Sequence, residues 1–344
     1  MRQFLLYIFV VMLVGCNYPH LSVSKDGDYV VVRRGIYENQ DLLIPIKYVE
    51  YQDIRTRKEI ETEERERVAK RNERLNSPRC AHFIFDGTYN GYNVDVVIHP
   101  ELDDDNSGMA RYHFKNDSHD FYIETAFTWN WYSSVEDFEK VKFKGESYHT
   151  KLHADDVVRG NGDEFMDIHT PFCFKDVDFD GKYEILFSAG GYNRNYYEVY
   201  KITAPKQATQ MSTKPFNNFV LAHIEDENDD STGIHFDYPK KTITINEPMG
   251  ATEYYHDIWQ QNPKSKNPLN PMVHLRGVHT ECGACFTTRV FSKHNEITDV
   301  ESSYPIDSTW TVFAKYKKRG DDVRLINLEL INVQDNKIRH TLQW

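Results

Sequence analysis

The densest set of side chains suited to a metal ion lies at residues 176–184, which read DVDFDGKYE. Three aspartates alternate with apolar residues, so in a tight loop their carboxylates converge on one point while the intervening residues face away. Gly181 then allows a sharp turn of the kind that usually needs a positive φ. Calcium takes about six to eight oxygen ligands in proteins. The predicted calcium ligands are Asp176, Asp178, Asp180, Glu184 and the carbonyl oxygen of Lys182.

This acidic segment is not a complete EF-hand. Position twelve of such a loop is Phe187, which offers no oxygen ligand. The residues at 183–188 are strand-like rather than helical. The sequence therefore predicts a nine-residue calcium loop that leads into a strand, with a mainly structural role because the ion neutralises a dense negative cluster. The alternative is an acidic β-turn that holds no metal.

Five cysteines are present, and four of them follow Cys16. An exported chain meets an oxidising compartment, where disulfides form. Four cysteines allow three pairings, and we expect Cys282 to pair with Cys285, and Cys80 with Cys173. Two alternatives stay open for the Cys282–Cys285 pair, namely a redox-active dithiol and a metal site shared with His279.

Catalytic motifs are missing from the sequence. The 15 histidines form no H-E-x-x-H pattern, and neither a G-x-S-x-G nor a phosphate-binding glycine loop occurs. Neighbouring carboxylates such as Asp163 and Glu164 are of the type that cleaves glycosidic bonds, but chance pairs are expected among 53 acidic residues. We therefore expect a protein that is not an enzyme, with a glycan-cleaving enzyme as the less favoured reading.

The N-terminus has the pattern of an export signal. Met1-Arg2 precedes an apolar run from Phe4 to Val14, which is shorter than the roughly 20 residues that cross a bilayer and matches a signal-peptide core. The run ends in Leu13-Val14-Gly15-Cys16, which resembles the lipobox of bacterial lipoproteins, where the cysteine thiol accepts the lipid. The alternative is an ordinary secretory signal with an accidental cysteine. In the lipoproteins that this pattern resembles, aspartate after the cysteine retains the protein at the inner membrane. With Asn17 in that position, the resemblance implies the outer membrane, with the protein on the periplasmic face and the cell surface as the alternative.

Composition narrows the range of partners. The net charge of −12 argues against nucleic acid and against anionic lipid surfaces, and it favours cationic partners or divalent metal ions. Contact with the membrane is therefore expected through the lipid alone. Hydrophobic residues at 40% and charged residues at 27% are ordinary for a folded protein, and the 14% of aromatic residues favours strands.

The sequence divides into a signal peptide (1–15), an anchor-proximal segment (16–50), a charged helix (51–79) and a β-rich remainder (80–344). The helix carries charges of both signs, with Glu61 four residues before Arg65, and only a thin apolar stripe without sustained heptads. We expect a solvated spacer, and the alternative is a partner-binding or coiled-coil helix.

From residue 80 onward, short runs rich in valine, isoleucine, tyrosine, phenylalanine and threonine alternate with turn clusters. Examples of such runs are Tyr92 to Ile98, Tyr183 to Ser188 and Phe286 to Phe291. Regular short strands between turns are typical of all-β domains. The predicted fold is all-β, with propeller-like or sandwich-like antiparallel sheets and one charged N-terminal helix.

The acidic segment and the residues after it resemble a known family. Asp176 to Gly181 is followed by Ile185-Leu186-Phe187, by a turn rich in glycine and asparagine at 190–195 and by the aromatic run Tyr196 to Tyr200. This order is similar to the XAC2610-related envelope proteins, relatives of the periplasmic inhibitors of i-type lysozyme. The resemblance covers roughly residues 80–344, and it implies an all-β, propeller-like body with one calcium loop that faces the periplasm.

The resemblance also suggests a function. Related lysozyme inhibitors insert a short S-G-x-x-Y loop into the enzyme cleft. This chain has Ser107, Gly108 and Tyr112, one residue longer, which changes the face that Tyr112 occupies if the segment is a strand. On the resemblance, these three residues contact the partner.

We therefore predict a lipoprotein that binds and inhibits, or neutralises, a peptidoglycan hydrolase or lysozyme-like protein, as a lysozyme inhibitor or an immunity protein does. The alternative is a calcium-stabilised envelope scaffold or ligand-binding lipoprotein that does not inhibit.

Overall fold

The computed structural model describes most of the chain, and strands dominate it. The described residues are 20–33, 41–49, 56–101, 107–128, 141–151, 171–188, 195–217, 219–221, 233–248, 253–283, 286–306 and 308–343. Among them are one helix and 23 strands, which confirms the all-β prediction. No helix in these ranges is both long and apolar enough to cross a membrane.

The chain divides into two compact units that are not consecutive in sequence. The central unit comprises Asp53–Glu247 and Asp257–Leu275, and the terminal unit comprises Met1–Gln52, Pro248–His256 and Arg276–Trp344. The predicted single body at 80–344 is therefore split between the two units. The anchor-proximal segment contributes strands to the terminal unit, where β4 (Lys47–Tyr48) pairs with β22 (Asp322–Asn332). Pairing across more than 270 residues leaves no local signal in the sequence.

The central unit contains two five-stranded sheets. The first has the order β8-β7-β6-β5-β9, in which only the pair β5–β9 is parallel. The second has the order β10-β11-β12-β13, and β14 also pairs with β12. The elements of these sheets are β5 (Ala81–Tyr89), β6 (Tyr92–Pro100), β7 (Ser107–Lys115), β8 (Asp120–Thr128), β9 (Ser147–Thr150), β10 (Phe172–Lys175), β11 (Glu184–Ser188), β12 (Asn195–Ala204), β13 (Gln207–Gln210) and β14 (Phe219–Leu221).

The strands β10 and β11 of the second sheet are buried on both faces, as their nearly continuous apolar sequences suggest. Phe172 and Phe187 on one face join a core with the inner face of the first sheet, including Tyr112 and Phe114. On the other face, Cys173 belongs to a second core, which contains residues of the strands after 233. The two sheets thus form the sandwich-like arrangement, and the described residues show sandwich-like sheets rather than a closed propeller.

The helix α1 (Arg57–Leu75) begins with a capping box, in which Thr56 and Glu59 exchange hydrogen bonds. Residues 57–70 are exposed, as predicted for a solvated helix. The last turn is different, because Leu75 is buried and Arg71 bonds to Glu124 of β8 at 3.1 Å. The predicted spacer is thus attached to the first sheet at its C-terminal end.

A third sheet, β1 (His20–Val23), β2 (Tyr29–Arg33) and β3 (Leu42–Pro45), belongs to the terminal unit. Its Val30, Val32 and Ile44 form a core with the valines and leucines of β19 to β22. The strands from β15 onward follow one another in a ten-stranded sheet that includes β4. These strands are β15 (Gly233–Asp237), β16 (Thr242–Pro248), β17 (Glu253–Gln261), β18 (Met272–Gly283), β19 (Phe286–Lys293), β20 (Glu296–Pro305), β21 (Trp310–Arg319), β22 (Asp322–Asn332) and β23 (Arg339–Thr341).

The predicted bond from Cys80 to Cys173 is wrong, because Cys80 is a free thiol. Cys173 points from β10 into the second core of the central unit, where it packs as a small apolar side chain. Cys282 is an exposed free thiol, while Cys285 lies outside the described residues, and so does the predicted lipidation site Cys16.

Candidate functional site

The acidic loop (residues 176–184) connects β10 to β11 within a hairpin. Lys175 and Glu184 face each other in the last pair of this antiparallel ladder. Phe179 and Gly181 adopt the left-handed region, with φ of 64° and 84°. A glycine does so at no steric cost, whereas a phenylalanine needs support from its surroundings.

Apolar side chains supply that support. Val177 is fully buried, and the ring of Phe179 lies against Phe236 and Tyr238, with ring centroids 6.2 and 5.3 Å apart. Gln261 Nε2 also donates to the carbonyl oxygen of Phe179 at 3.1 Å. The predicted alternation is therefore confirmed, since the residues between the aspartates face the core.

Backbone amides hold each carboxylate by one oxygen. The amide of Gly181 donates to Asp176 Oδ2 at 3.0 Å, and the amide of Asp180 donates to Asp178 Oδ1 at 3.2 Å. The amide of Lys182 donates to Asp180 Oδ1 at 2.8 Å, and Glu184 Oε2 accepts from the amide of Val177 at 3.1 Å. The bonds to Asp178 and Asp180 come from amides two residues further on, as in Asx turns. All four bonds fix the side chains to their own loop. The oxygens not used by these bonds are Asp176 Oδ1, Asp178 Oδ2, Asp180 Oδ2 and Glu184 Oε1.

A lysine from the neighbouring strand occupies the centre of the loop. Lys201 on β12 donates from Nζ to Asp178 Oδ2, to Asp180 Oδ2 at 2.8 Å and to Glu184 Oε1 at 2.9 Å. An ammonium group has three donors, and each of them meets a different carboxylate. The side chain of Lys201 is only 9% exposed. The loop therefore contains an ion-pair cluster in which Lys201, Asp178 and Glu184 are buried and the side chain of Asp180 is about one third exposed.

Burial and charge shape the protonation of this cluster. Burial, together with the charge of Asp178, raises the pKa of Glu184 to about 8. Burial also raises the pKa of Asp176 and of Asp178. Burial also disfavours the charged forms of Asp180 and Lys201. At Asp180 the hydrogen bonds from Lys201 and from the amide of Lys182 outweigh burial, so its pKa is lowered. At Lys201 the charge of Glu184 and the bonds to the three acidic side chains outweigh burial, so its pKa is raised.

The carboxylates by themselves suit a metal ion. Asp176, Asp178 and Glu184 each present an oxygen within 4.8 Å of the others, and carboxylate oxygens are the ligands that calcium prefers. The ammonium of Lys201, however, contacts one oxygen of Asp178 and one oxygen of Glu184. With this lysine in place, the donor set does not fit a divalent cation, and calcium stays a prediction from the sequence.

The sequence interpretation missed Lys201. Its signal was a lysine that lies in phase with the apolar residues Tyr197 and Val199 of the same strand. Side chains at that spacing share one strand face, and both neighbours are buried. A lysine on a buried face needs carboxylate partners, and the acidic loop holds the nearest ones.

A second polar cluster lies on the outer face of the first sheet, which we call the histidine–aspartate row (His82, Asp95, His113 and Asp120). Asp95 bridges two histidines, with Oδ1 3.0 Å from His82 Nε2 and Oδ2 3.2 Å from His113 Nδ1. His113 Nε2 lies 2.8 Å from Asp120 Oδ1, and this bond lowers the pKa of Asp120. The ring of Tyr122 stacks on His113 at 4.4 Å and is 59% exposed.

Ser147 extends the row in a serine–histidine–aspartate order. Its Oγ lies 3.4 Å from His82 Nδ1. In a catalytic triad the aspartate is buried and the serine lies close to the histidine. Here the serine contact is long, and Asp95 and His82 are about one third exposed. The geometry is that of a polar, aromatic surface row.

The residues predicted to contact a partner do not form a loop. Ser107 begins β7, and Gly108 and Tyr112 lie within that strand. Tyr112 is 2% exposed, its ring lies 4.8 Å from that of Phe187, and burial raises its pKa. The predicted partner contact of Tyr112 is therefore wrong. The strand period of two places Tyr112 on the same face as Ala110 and Phe114, which is the core face.

Comparisons with known proteins place the chain in no established family. No family model and no curated protein matches it. One solved structure, described as that of a Xanthomonas Type IV Secretion System related protein, aligns over 70% of this chain and 91% of its own, with a TM-score of 0.33 and 11% identity. Similarity at that level transfers neither fold nor function.

Proposed function

We propose that this chain is a lipid-anchored protein of the bacterial cell envelope that binds a protein partner, and that this partner is a peptidoglycan-cleaving enzyme. The export signal that ends at Cys16 supports the compartment, and the sequence phrase at 176–200 supports the class of partner. The net charge of −12 supports a basic partner, since opposite charges accelerate encounter.

The observation that carries the binding proposal is the exposed ring of Tyr122 beside the histidine–aspartate row. Aromatic residues are enriched in protein interfaces, and truncation of a few such side chains removes most of the binding energy. Tyr122 is already held in one orientation by its stack on His113. A partner that covers this face therefore gains a pre-ordered aromatic contact.

The test is a binding and inhibition assay with purified lysozymes and secreted wall-degrading hydrolases. We expect the wild type to bind and inhibit at least one of these enzymes, and Tyr122→Ala to weaken that binding by roughly tenfold or more. Tyr29→Ala is the matched control, because Tyr29 is an exposed tyrosine (38%) of the terminal unit. Failure of every enzyme to bind the wild type would reject the proposal.

A second function, that of an envelope scaffold or ligand-binding lipoprotein without inhibitory activity, is favoured by one observation. Tyr112, which the resemblance assigns to an inhibitory loop, belongs to the core. On this alternative, the wild type binds an envelope component, but the rate of peptidoglycan cleavage by every hydrolase in the panel stays unchanged.

A further inference from the structure

We propose that Lys201 takes the place of a metal ion in the acidic loop, so that the loop of this protein is built to fold without calcium. The inference concerns the loop alone and is independent of the proposed function. It rests on the match between one ammonium group and three carboxylates that come from one short stretch of chain.

The first step is the position of the ammonium. Lys201 Nζ lies 2.8 Å from Asp180 Oδ2 and 2.9 Å from Glu184 Oε1, and it also contacts Asp178 Oδ2. A calcium ion bound to these oxygens would lie about 2.3–2.6 Å from each of them. The two cations would therefore occupy nearly the same point, and their like charges exclude joint occupancy.

The second step is the cost of moving the lysine aside. Lys201 lies in the middle of β12, where its backbone faces Thr209 of β13 and its neighbour Tyr200 faces Ile185 of β11. Its side chain is 9% exposed and lies on the strand face that also carries Val199, a fully buried core residue. An ammonium that leaves the cluster would leave the buried side chains of Asp178 and Glu184 without their cationic partner, so withdrawal is unfavourable.

The third step concerns the amide bonds of the loop. One oxygen of each carboxylate is already held by a backbone amide of the loop, and the ammonium satisfies the second oxygen of three of them. Asp176 Oδ1 is the exception, because it is buried and has no hydrogen-bond partner among the described residues. The three donors of the ammonium therefore serve three acidic side chains and leave Asp176 Oδ1 without a partner in the described part of the chain. A calcium ion, which takes about six to eight ligands, could bind a fourth oxygen as well.

The experiment compares the full chain in chelator and in calcium. For the wild type we expect no heat of calcium binding by calorimetry, and a Tm that is the same in about 5 mM EDTA and about 5 mM calcium chloride, because a ligand that binds the native state raises Tm. Lys201→Met keeps the length of the side chain and removes its charge. We expect its Tm in EDTA to fall by about 10 °C, as when one partner of a buried ion pair is lost, and calcium to restore at least half of that fall.

Lys206→Met is the matched control, since Lys206 is an exposed lysine of the β12–β13 turn, and it should behave as the wild type does. Lys201→Arg retains the charge and should show no response to calcium, which keeps the test informative if Lys201→Met does not fold. Calcium binding by the wild type with a rise in Tm would overturn the inference. A folded Lys201→Met variant that ignores calcium would overturn it as well.

Discussion

Glu184 is the most deeply buried carboxylate of the acidic loop, with no exposed surface. Its pKa in the folded protein is raised from 4.5 to about 8, so the folded state keeps a proton that the unfolded chain releases. The protonated side chain of Glu184 therefore stabilises the folded state. This stabilisation is fully present below pH 4.5 and is lost as the pH rises towards 8.

Glu184→Gln, which cannot release a proton there, should remove this part of the pH dependence. We expect the free energy of unfolding of the wild type to fall relative to that of the variant between pH 4.5 and 8, by an amount on the order of a few kcal/mol. Denaturant titrations at several pH values measure the difference. Glu73→Gln on the exposed part of α1 serves as control, and a constant difference between wild type and Glu184→Gln would contradict the prediction.

For single residues, the sequence predicted the directions of side chains within one loop, but it did not predict contacts between residues of different strands. The alternation of aspartates with Val177 and Phe179 is confirmed because one tight loop decides which way each side chain points. Lys201 comes 17 residues after Glu184, and only the pairing of β11 with β12 brings the two together. Tyr112 was misplaced for a related reason, since its environment depends on Phe187 of another sheet.

The positions of the helix and the strands follow local sequence patterns more closely than the contacts of single side chains do. The charged segment predicted at 51–79 contains α1, and the predicted ion pair Glu61–Arg65 is present at 3.6 Å. The sequence could not show that the helix ends against a sheet. That contact depends on Leu75 and on Arg71, whose acceptor Glu124 also binds Arg111 of β7 at 2.7 Å.

The attachment of α1 through its last turn predicts that the stability of the whole helix depends on Leu75. Most of the stability of a helix in a protein comes from its packing, and the buried residue of α1 is Leu75. We therefore expect the order of the helix to depend on the contact at Leu75. Leu75→Ala should lower the free energy of unfolding by about 2–3 kcal/mol and increase amide hydrogen exchange along the helix. Val68→Ala is the control, since Val68 is 42% exposed and its truncation should leave the packing of the helix almost unchanged. Equal exchange in both variants would show that the last turn does not hold the helix.

At the scale of the whole molecule, the two folded units are built from segments that are not consecutive in the sequence. The strands β1 to β4 near the N-terminus belong to the unit that also contains β19 to β23 near the C-terminus. Hydrophobic patterns identify each strand, but they do not say which distant strand it pairs with, because many β-rich segments have compatible patterns. The all-β class was therefore predictable, and the division into units was not.

The proposed lipid anchor gives a prediction for the whole chain. A lipidated cysteine at position 16 would hold the entire acidic protein at a membrane, although its net charge of −12 repels anionic lipid. In cells that process lipoproteins, Cys16→Ala should move the protein from the membrane fraction to the soluble fraction and abolish labelling by a fatty-acid probe. Cys282→Ala removes an exposed thiol of the folded protein and should leave both readouts unchanged. Because the charge is the same in all three proteins, a Cys16→Ala variant that still sediments with membranes and still takes up the probe would mean that the attachment does not run through this thiol.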